Sequence, residues 1–488
     1  MPGDLRDGRI VIVGASLAGL RAAETLRERG FTGSLTVVGE EPHPPYDRPP
    51  LSKQVLLGMA AADTTGLPMR PGPPMRPGLP MPPGLPMRPD LPMPPGLPTH
   101  QPLDADWRLG VRATGLDPDG KRVLLADGES LPYDRLLIAT GTRARPWPRP
   151  EQAALDGVLT LRTRDDAARL ADRLAAGPRR VLVIGAGFTG SEIASACRER
   201  GLPVTVAERG TAPLVGALGG TLAKLATGLH RAHGVDLRCG VTVTELRGDD
   251  SGRFTGADLS DGDHIDADLC VVALGAVRNV EWLADSGLAA GTHGVACDAG
   301  CRAFDMYGIV TDDVFVAGDV SRFPHPLFDY QMLSLEHWGN AVEQAEVAAH
   351  NMVTPEPRRR PHLAVPVFWS NQFGVNIKSV GVPTFSDQVV VAQGSLRDRR
   401  LVAVYGYRGR ITAAVTVNMA KWLEHYQRLI ETAAPFPPGP GAADGHPLVT
   451  EFPLPSDVPD PKGLSHGPTV ALTGHLPDRR LTVVRPAD

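Results

Sequence analysis

An α/β protein built on parallel sheets is what this sequence predicts, and two observations carry the prediction. Twice, a short apolar run passes through a Gly-rich turn into a helical pattern and on to a second apolar run. The first copy is "IVIVGASLAGLRAAE" (Ile10 to Glu24) followed by "SLTVVGEE", and the second is "VLVIGAGFTGSE" (Val181 to Glu192) followed by "PVTVAER". Three more apolar runs end in glycine: "YDRLLIATG", "DLCVVALG" and the "DDVFVAG" that begins at Asp312. Strands that alternate with helical segments pair in parallel, because each crossover helix returns the chain to the same end of the sheet.

The helical segments follow from periodicity. From Leu17 to Arg29 apolar residues recur at helical spacing, and "SEIASACRERG" (Ser191 to Gly201) repeats this after the second turn. Residues 67–98 differ from the rest of the chain. A six-residue unit, "LPMRPG", recurs there with small variations, and proline at that density joins neither a helix nor a central strand. A polyproline-like or disordered surface insert is expected, with a docking arm as the alternative. The tail from about residue 433 is again rich in Pro and Gly.

Composition narrows the function class. The chain has 488 residues, 42% hydrophobic and 22% charged, with a net charge of −5. Length predicts several domains, and the charge gives no reason to expect nucleic acid or an anionic membrane as partner. The N-terminus lacks the basic and apolar regions of a signal peptide, and no long apolar run exists for a membrane span. Five scattered cysteines, none in a Cys-x-x-Cys pair, predict a cytoplasmic chain with reduced thiols and no metal site. Cys297 and Cys301 are the closest pair, and a redox role for them is a minor alternative.

Each Gly-rich turn has the parts of a dinucleotide site. The turn brings backbone N–H groups and a helix N-terminus against a pyrophosphate, and an acidic residue ~20 positions on binds the ribose. In the first copy Gly14 and Gly19 flank the turn, Ser16 replaces the middle glycine, and Glu40 ends the next strand. In the second, Gly185, Gly187 and Gly190 are all present and Glu208 is the acid. A carboxylate accepts from a ribose 2′-OH and repels a 2′-phosphate, so Glu208 favours NADH over NADPH. Two dinucleotide sites in one chain imply electron transfer between a nicotinamide and a flavin.

With these turns in place, "PYDRPPLSK" (Pro45 to Lys53), "LLIATGTRAR" (Leu136 to Arg145), "VFVAGDVSRF" (Val314 to Phe323), "EHWGNAVEQA" (Glu336 to Ala345) and "PVFWSNQFG" (Pro366 to Gly374) make the chain resemble a known family. It is similar to the FAD-dependent pyridine-nucleotide oxidoreductases, and within them to the NADH-dependent ferredoxin reductases of the putidaredoxin reductase and rubredoxin reductase kind. The resemblance runs from about Arg9 to about Lys421. It implies two Rossmann-like domains, one for FAD (1–147 and 275–356) and one for NAD (148–274). A small α+β C-terminal domain (357–432) and the tail (433–488) would follow.

The resemblance also implies roles. Lys53, ion-paired to Glu192, would lie near the reactive flavin nitrogen, and Arg48 along the ring. Asp319 would accept hydrogen bonds from the ribityl chain, and Trp338 and Trp369 would flank the ring. FAD contacts would extend over Leu17, Ala18, Ala139, Thr140, Gly141, Arg143, Glu336 and His337, and NADH contacts over Phe188 and Thr189, with Gly275 a further cofactor contact. Taken singly, Lys53 and Glu192 also fit solvated surface residues, Asp319 a turn cap, and the tryptophans ordinary core packing. Ser334, where the family commonly has arginine, and "GAVRN" (Gly275 to Asn279) depart from its pattern.

"YDRPPLSKQVLLG" contains no cysteine where disulfide reductases of this superfamily carry a Cys-x₄-Cys relay, so electrons would leave for an external acceptor. The expected sequence is hydride transfer from NADH to FAD, then one-electron steps to a [2Fe–2S] ferredoxin that would supply an oxygenase such as a cytochrome P450. The chain would be a monomer or weak dimer. The alternatives are an NADH oxidase or quinone reductase, and an NADH-sensing interaction protein resembling apoptosis-inducing factor.

Overall fold

The computed structural model describes residues 6–67, 103–439, 449–451, 469–473 and 480–484. The Pro-rich repeat after Leu67 and most of the tail lie outside them.

Two parallel sheets form where the apolar runs predicted them. The first has the strand order Arg302–Phe304, Val310–Val316, Arg135–Ile138, Arg9–Val13, Ser34–Gly39, Asp106–Leu109. Only Arg302–Phe304 runs antiparallel to its neighbour. Alternation along each strand sends side chains to both faces. Ile10, Ile12, Leu137 and Phe315 meet Leu20 and Leu26 of the helix Leu17–Glu28 and Ala345 and Ala349 of the helix Trp338–Val353. Val11, Val13, Leu136 and Val316 meet the small antiparallel meander Ala113–Asp117, Arg122–Leu125, Ser130–Pro132.

The second sheet is parallel throughout, in the order Asp236–Cys239, Val204–Glu208, Val181–Ile184, Leu269–Val272, Val158–Thr160. Its helix begins earlier than the periodicity predicted, as Phe188–Glu199. Glycine and threonine in that first turn hide the pattern, whereas the turn amides at Gly187 start the helix.

Antiparallel strands make the third sheet, Val367–Gln372, Val375–Gly381, Arg410–Val417, Arg400–Tyr407 and Gln388–Ser395, with Val449–Glu451 on its edge. One face packs on the second sheet's helices through Ile377, Val415 and Tyr405, and the other on the helix Leu423–Glu431 through Tyr426 and Ile430. The sheet reaches past residue 432, because Val449–Glu451 pairs with it and Phe436 packs against Gly406. Among the described residues no helix is long and apolar enough to cross a membrane, and no cluster of three or more His, Cys, Asp or Glu side chains is placed to hold a metal ion.

Candidate functional site

Both Gly-rich turns have backbone shapes that only glycine tolerates. Gly14 has φ +124°, and a Cβ there would lie 2.1 Å from the carbonyl oxygen of Ala139. Gly185 has φ +101°, and its Cβ would lie 2.5 Å from the carbonyl oxygen of Ala273. The last glycine of each turn, Gly19 or Gly190, lets the helix press on the turn, since a Cβ would lie 1.9 or 2.0 Å from the carbonyl oxygen of Gly14 or Gly185. The middle position differs. Nothing of the protein lies within 4 Å of the Cβ that Gly187 lacks, so the fold does not require glycine there. Ser16 holds the same place in the first turn, and its hydroxyl makes no cap bond to the helix.

The two turns meet at one chamber. Ser16, Leu17 and Ala18 from the first helix and Phe188, Thr189 and Glu192 from the second all line it. Arg48, Lys53, Ala139, Thr140, Gly141, Asp319, Glu336, Trp338 and Trp369 complete the part that was predicted. An adjoining chamber shares Ser16, Arg48, Ala139 and Thr140 with it and extends past Gly14 to Glu40 and Arg143. No cysteine lines either chamber.

Lys53 and Glu192 form the ion pair that was expected, at 2.8 Å, with only 16% and 9% of their side chains exposed. Two segments supply three donors to the carboxylate. Ser52 donates to the same oxygen at 2.5 Å, and Ser370, from the third sheet, donates to the other at 2.5 Å. Trp338 donates its indole N–H to Asp47 at 2.9 Å, and its ring stands edge-on to Trp369 with centroids 6.2 Å apart. Burial of Asp47 raises its carboxyl above the ordinary range, against the opposing pull of that indole bond.

Other predicted residues have partners that sequence did not supply. Asp319 accepts from Arg162 at 2.7 Å, and the turn before it is held by Gln344, which accepts from the Gly318 N–H and the Ser321 hydroxyl. Arg48 donates to Glu41 at 2.7 Å and to the Arg162 carbonyl, with its guanidinium over the Tyr46 ring. Arg143 sits half-exposed at the rim, paired with Glu281 at 2.6 Å. Glu336 pairs with Arg278 at 2.6 Å.

Glu208 lies outside both chambers, with its carboxylate already accepting from the Ala186 and Gly210 N–H groups at 2.6 Å each. Gly19, Gly185, Gly187, Gly190, Gly275 and His337 do not line the chambers either. His337 packs against Phe368, and burial lowers its imidazole to about 4, leaving it neutral.

Ser52, Ser370, Asp47, Arg162 and Glu41 are the site residues that sequence reading missed. A serine beside Lys53 and another beside Trp369 carry no signal without the fold. The cysteines take no part. Cys197, Cys270, Cys297 and Cys301 are buried, and burial raises every one of these thiols, so Cys297 and Cys301 have no thiolate for redox chemistry.

A dinucleotide fits the first turn. A helix N-terminus with an uncommitted Ser16 hydroxyl faces a chamber that continues to the acidic residue Glu40. A second dinucleotide fits at Gly187, whose missing Cβ leaves open space beside a helix N-terminus.

The pyridine nucleotide-disulphide oxidoreductase family model matches residues 8–345, and the reductase C-terminal model matches residues 367–448. Rhodocoxin reductase from Rhodococcus erythropolis is 33% identical over 434 residues, covering 88% of this chain and 91% of that protein. Putidaredoxin reductase from Pseudomonas putida is 30% identical over 439 residues, covering 88% and 93%. Among solved structures, the covalent putidaredoxin reductase–putidaredoxin complex matches with a TM-score of 0.75 and 27% identity, over 88% of this chain and 94% of that one. The chain belongs to the pyridine nucleotide-disulphide oxidoreductases, and within them to the ferredoxin reductases that end in a reductase C-terminal domain.

Proposed function

We propose that this protein is an FAD-dependent NADH:ferredoxin reductase that passes electrons to a [2Fe–2S] ferredoxin serving an oxygenase. One observation carries the proposal: two Gly-rich helix N-termini open onto a single chamber whose walls hold an ion-paired lysine and no cysteine. The relatives support the acceptor, since they include rhodocoxin reductase and the ferredoxin–NAD(+) reductase component of an anthranilate 1,2-dioxygenase system. A cytoplasmic setting, where NADH is plentiful and thiols stay reduced, fits the five unpaired cysteines.

The chain's own residues divide the work. Gly14, Ser16 and the first turn of Leu17–Glu28 would hold the FAD pyrophosphate, with Glu40 at the ribose. Gly185, Gly187 and the first turn of Phe188–Glu199 would do the same for NADH, with Glu208 at its ribose. FAD, when bound, supplies the conversion of a two-electron donor to one-electron acceptors. Lys53 sets a fixed positive charge on the chamber wall, where it stabilises negative charge developing on a reduced ring. Glu192, held by Ser52 and Ser370, fixes that ammonium in place. Trp338 and Trp369 keep water from the same wall, with Trp338 oriented by Asp47.

The test is cytochrome c reduction by FAD-loaded protein, with and without a [2Fe–2S] ferredoxin, using NADH and then NADPH. Strong stimulation by ferredoxin, with NADH the better donor, is expected. Fast turnover with O₂ or quinone alone would instead identify an oxidase.

A further inference from the structure

The C-terminal sheet also reaches the nicotinamide-dinucleotide turn, at a place away from Lys53 and Glu192. The segment after Glu208 is tied back to that turn. The Leu214 N–H donates to the Ala186 carbonyl at 3.0 Å, while the Ala186 N–H donates to Glu208. Leu214 has φ 59°, a left-handed conformation that is costly for a leucine and persists only where its surroundings impose it. One helical turn follows, with the Leu218 N–H bonded to the Leu214 carbonyl, and then the helix Val215–Ala232 breaks. Gly219 has φ 74° and ψ 176°, so the hydrogen-bond ladder is interrupted just after Leu218.

At the break, Tyr405 of the strand Arg400–Tyr407 donates its hydroxyl to the Leu218 carbonyl at 2.6 Å. Tyr405 is 1% exposed, and desolvation raises its phenol, so it remains a donor at every working pH. An interrupted carbonyl buried without a partner would favour rearrangement of the short turn from Leu214 to Leu218. Tyr405 thus closes a chain of contacts: Glu208 to Ala186, Ala186 to Leu214, Leu214 to Leu218, and Leu218 to the C-terminal domain.

We infer that Tyr405 is a positioning residue through which the C-terminal domain holds the Ala186–Glu208 wall of the NADH site in its binding shape. The inference rests on the reading that the second turn binds NADH. It predicts a change in dinucleotide affinity and none in the chemistry at Lys53.

The test compares full-length, FAD-loaded wild type, Tyr405→Phe, Gly219→Ala and the double variant. NAD⁺ affinity is measured by titration calorimetry, and KM and kcat for NADH with ferricyanide as acceptor. Phe keeps the packing and removes only the donor, whereas Ala at a φ of 74° strains the same break. Tyr405→Phe is expected to raise the NADH KM and NAD⁺ dissociation constant by about 5- to 20-fold, from the loss of one buried hydrogen bond, with kcat within about twofold. Gly219→Ala should do the same, and the double variant should add little, since both act on one turn. Should Tyr405→Phe not fold, the KM and kcat of Gly219→Ala decide the matter. Unchanged KM and NAD⁺ affinity, or an equal fall in kcat, would overturn the inference. Wild type that binds no NAD⁺ would remove the reading of the second turn itself and the inference with it, an outcome distinct from equal binding by wild type and variant.

Discussion

Glu192 takes donors from three directions, an ammonium and a hydroxyl on one oxygen and a second hydroxyl on the other. A carboxylate so held keeps its place, and Lys53 with it. Lys53→Met, which removes the charge and keeps much of the length, should slow reduction of the bound FAD by NADH by about 10–100-fold, as measured by anaerobic stopped-flow. NADH affinity should change little. Ser370→Ala should cost less, about 3–10-fold, because Ser52 and Lys53 remain on Glu192. Equal rates in wild type and Lys53→Met would remove Lys53 from the chemistry.

The two turns provide a sharper test at the scale of an element, because the fold and the ligand ask different things of their glycines. Gly185 is required by the backbone itself, so Gly185→Ala should lower the melting temperature markedly through its clash with the Ala273 carbonyl. Gly187 faces open space, so Gly187→Ala should leave the melting temperature within about 2 °C. It should still raise the NADH KM by about tenfold, because the added methyl enters the path of the pyrophosphate. A large loss of stability in Gly187→Ala, or an unchanged KM, would contradict this division.

Local signals made these elements legible. Glycine spacing and apolar runs lie within about 30 residues of one another in each βαβ unit, and such patterns survive without tertiary information. The node around Glu192 was half legible. Its lysine came from a motif resemblance, but Ser52 and Ser370 are 140 and 178 residues from it, and no local pattern reports such distances. Asp319 was placed at the chamber by the same resemblance, while its partner Arg162 lies just after the second-sheet strand Val158–Thr160 and was missed. Val449–Glu451 escaped because three residues are too few for a periodic signal.

Across the whole molecule, two histidines are buried with their imidazoles lowered. His230, fully buried against Phe373 of the C-terminal domain, and His362, bonded to Asn340, are both lowered by burial to about 4. In the unfolded chain they titrate near ~6.5. Between these values the unfolded state binds protons that the folded state refuses, so stability falls as pH drops from about 6.5 toward 4, by about 3 kcal/mol per histidine at most. The melting temperature should therefore fall between pH 7 and pH 5, and His230→Gln should flatten that slope. A melting temperature independent of pH over this range would show that the histidines protonate without cost.

The central claim is that one chamber joins two dinucleotides and releases electrons singly to a ferredoxin. Anaerobic double mixing tests it most directly. FAD-loaded protein is mixed with one equivalent of NADH while the visible flavin absorbance is followed, and the reduced protein is then mixed with two equivalents of oxidised [2Fe–2S] ferredoxin. The absorbance should bleach with NADH and much more slowly with NADPH, then return as two equivalents of ferredoxin become reduced. Flavin that bleaches with NADH and stays bleached with every ferredoxin offered would contradict the account, as would a protein that takes up no FAD.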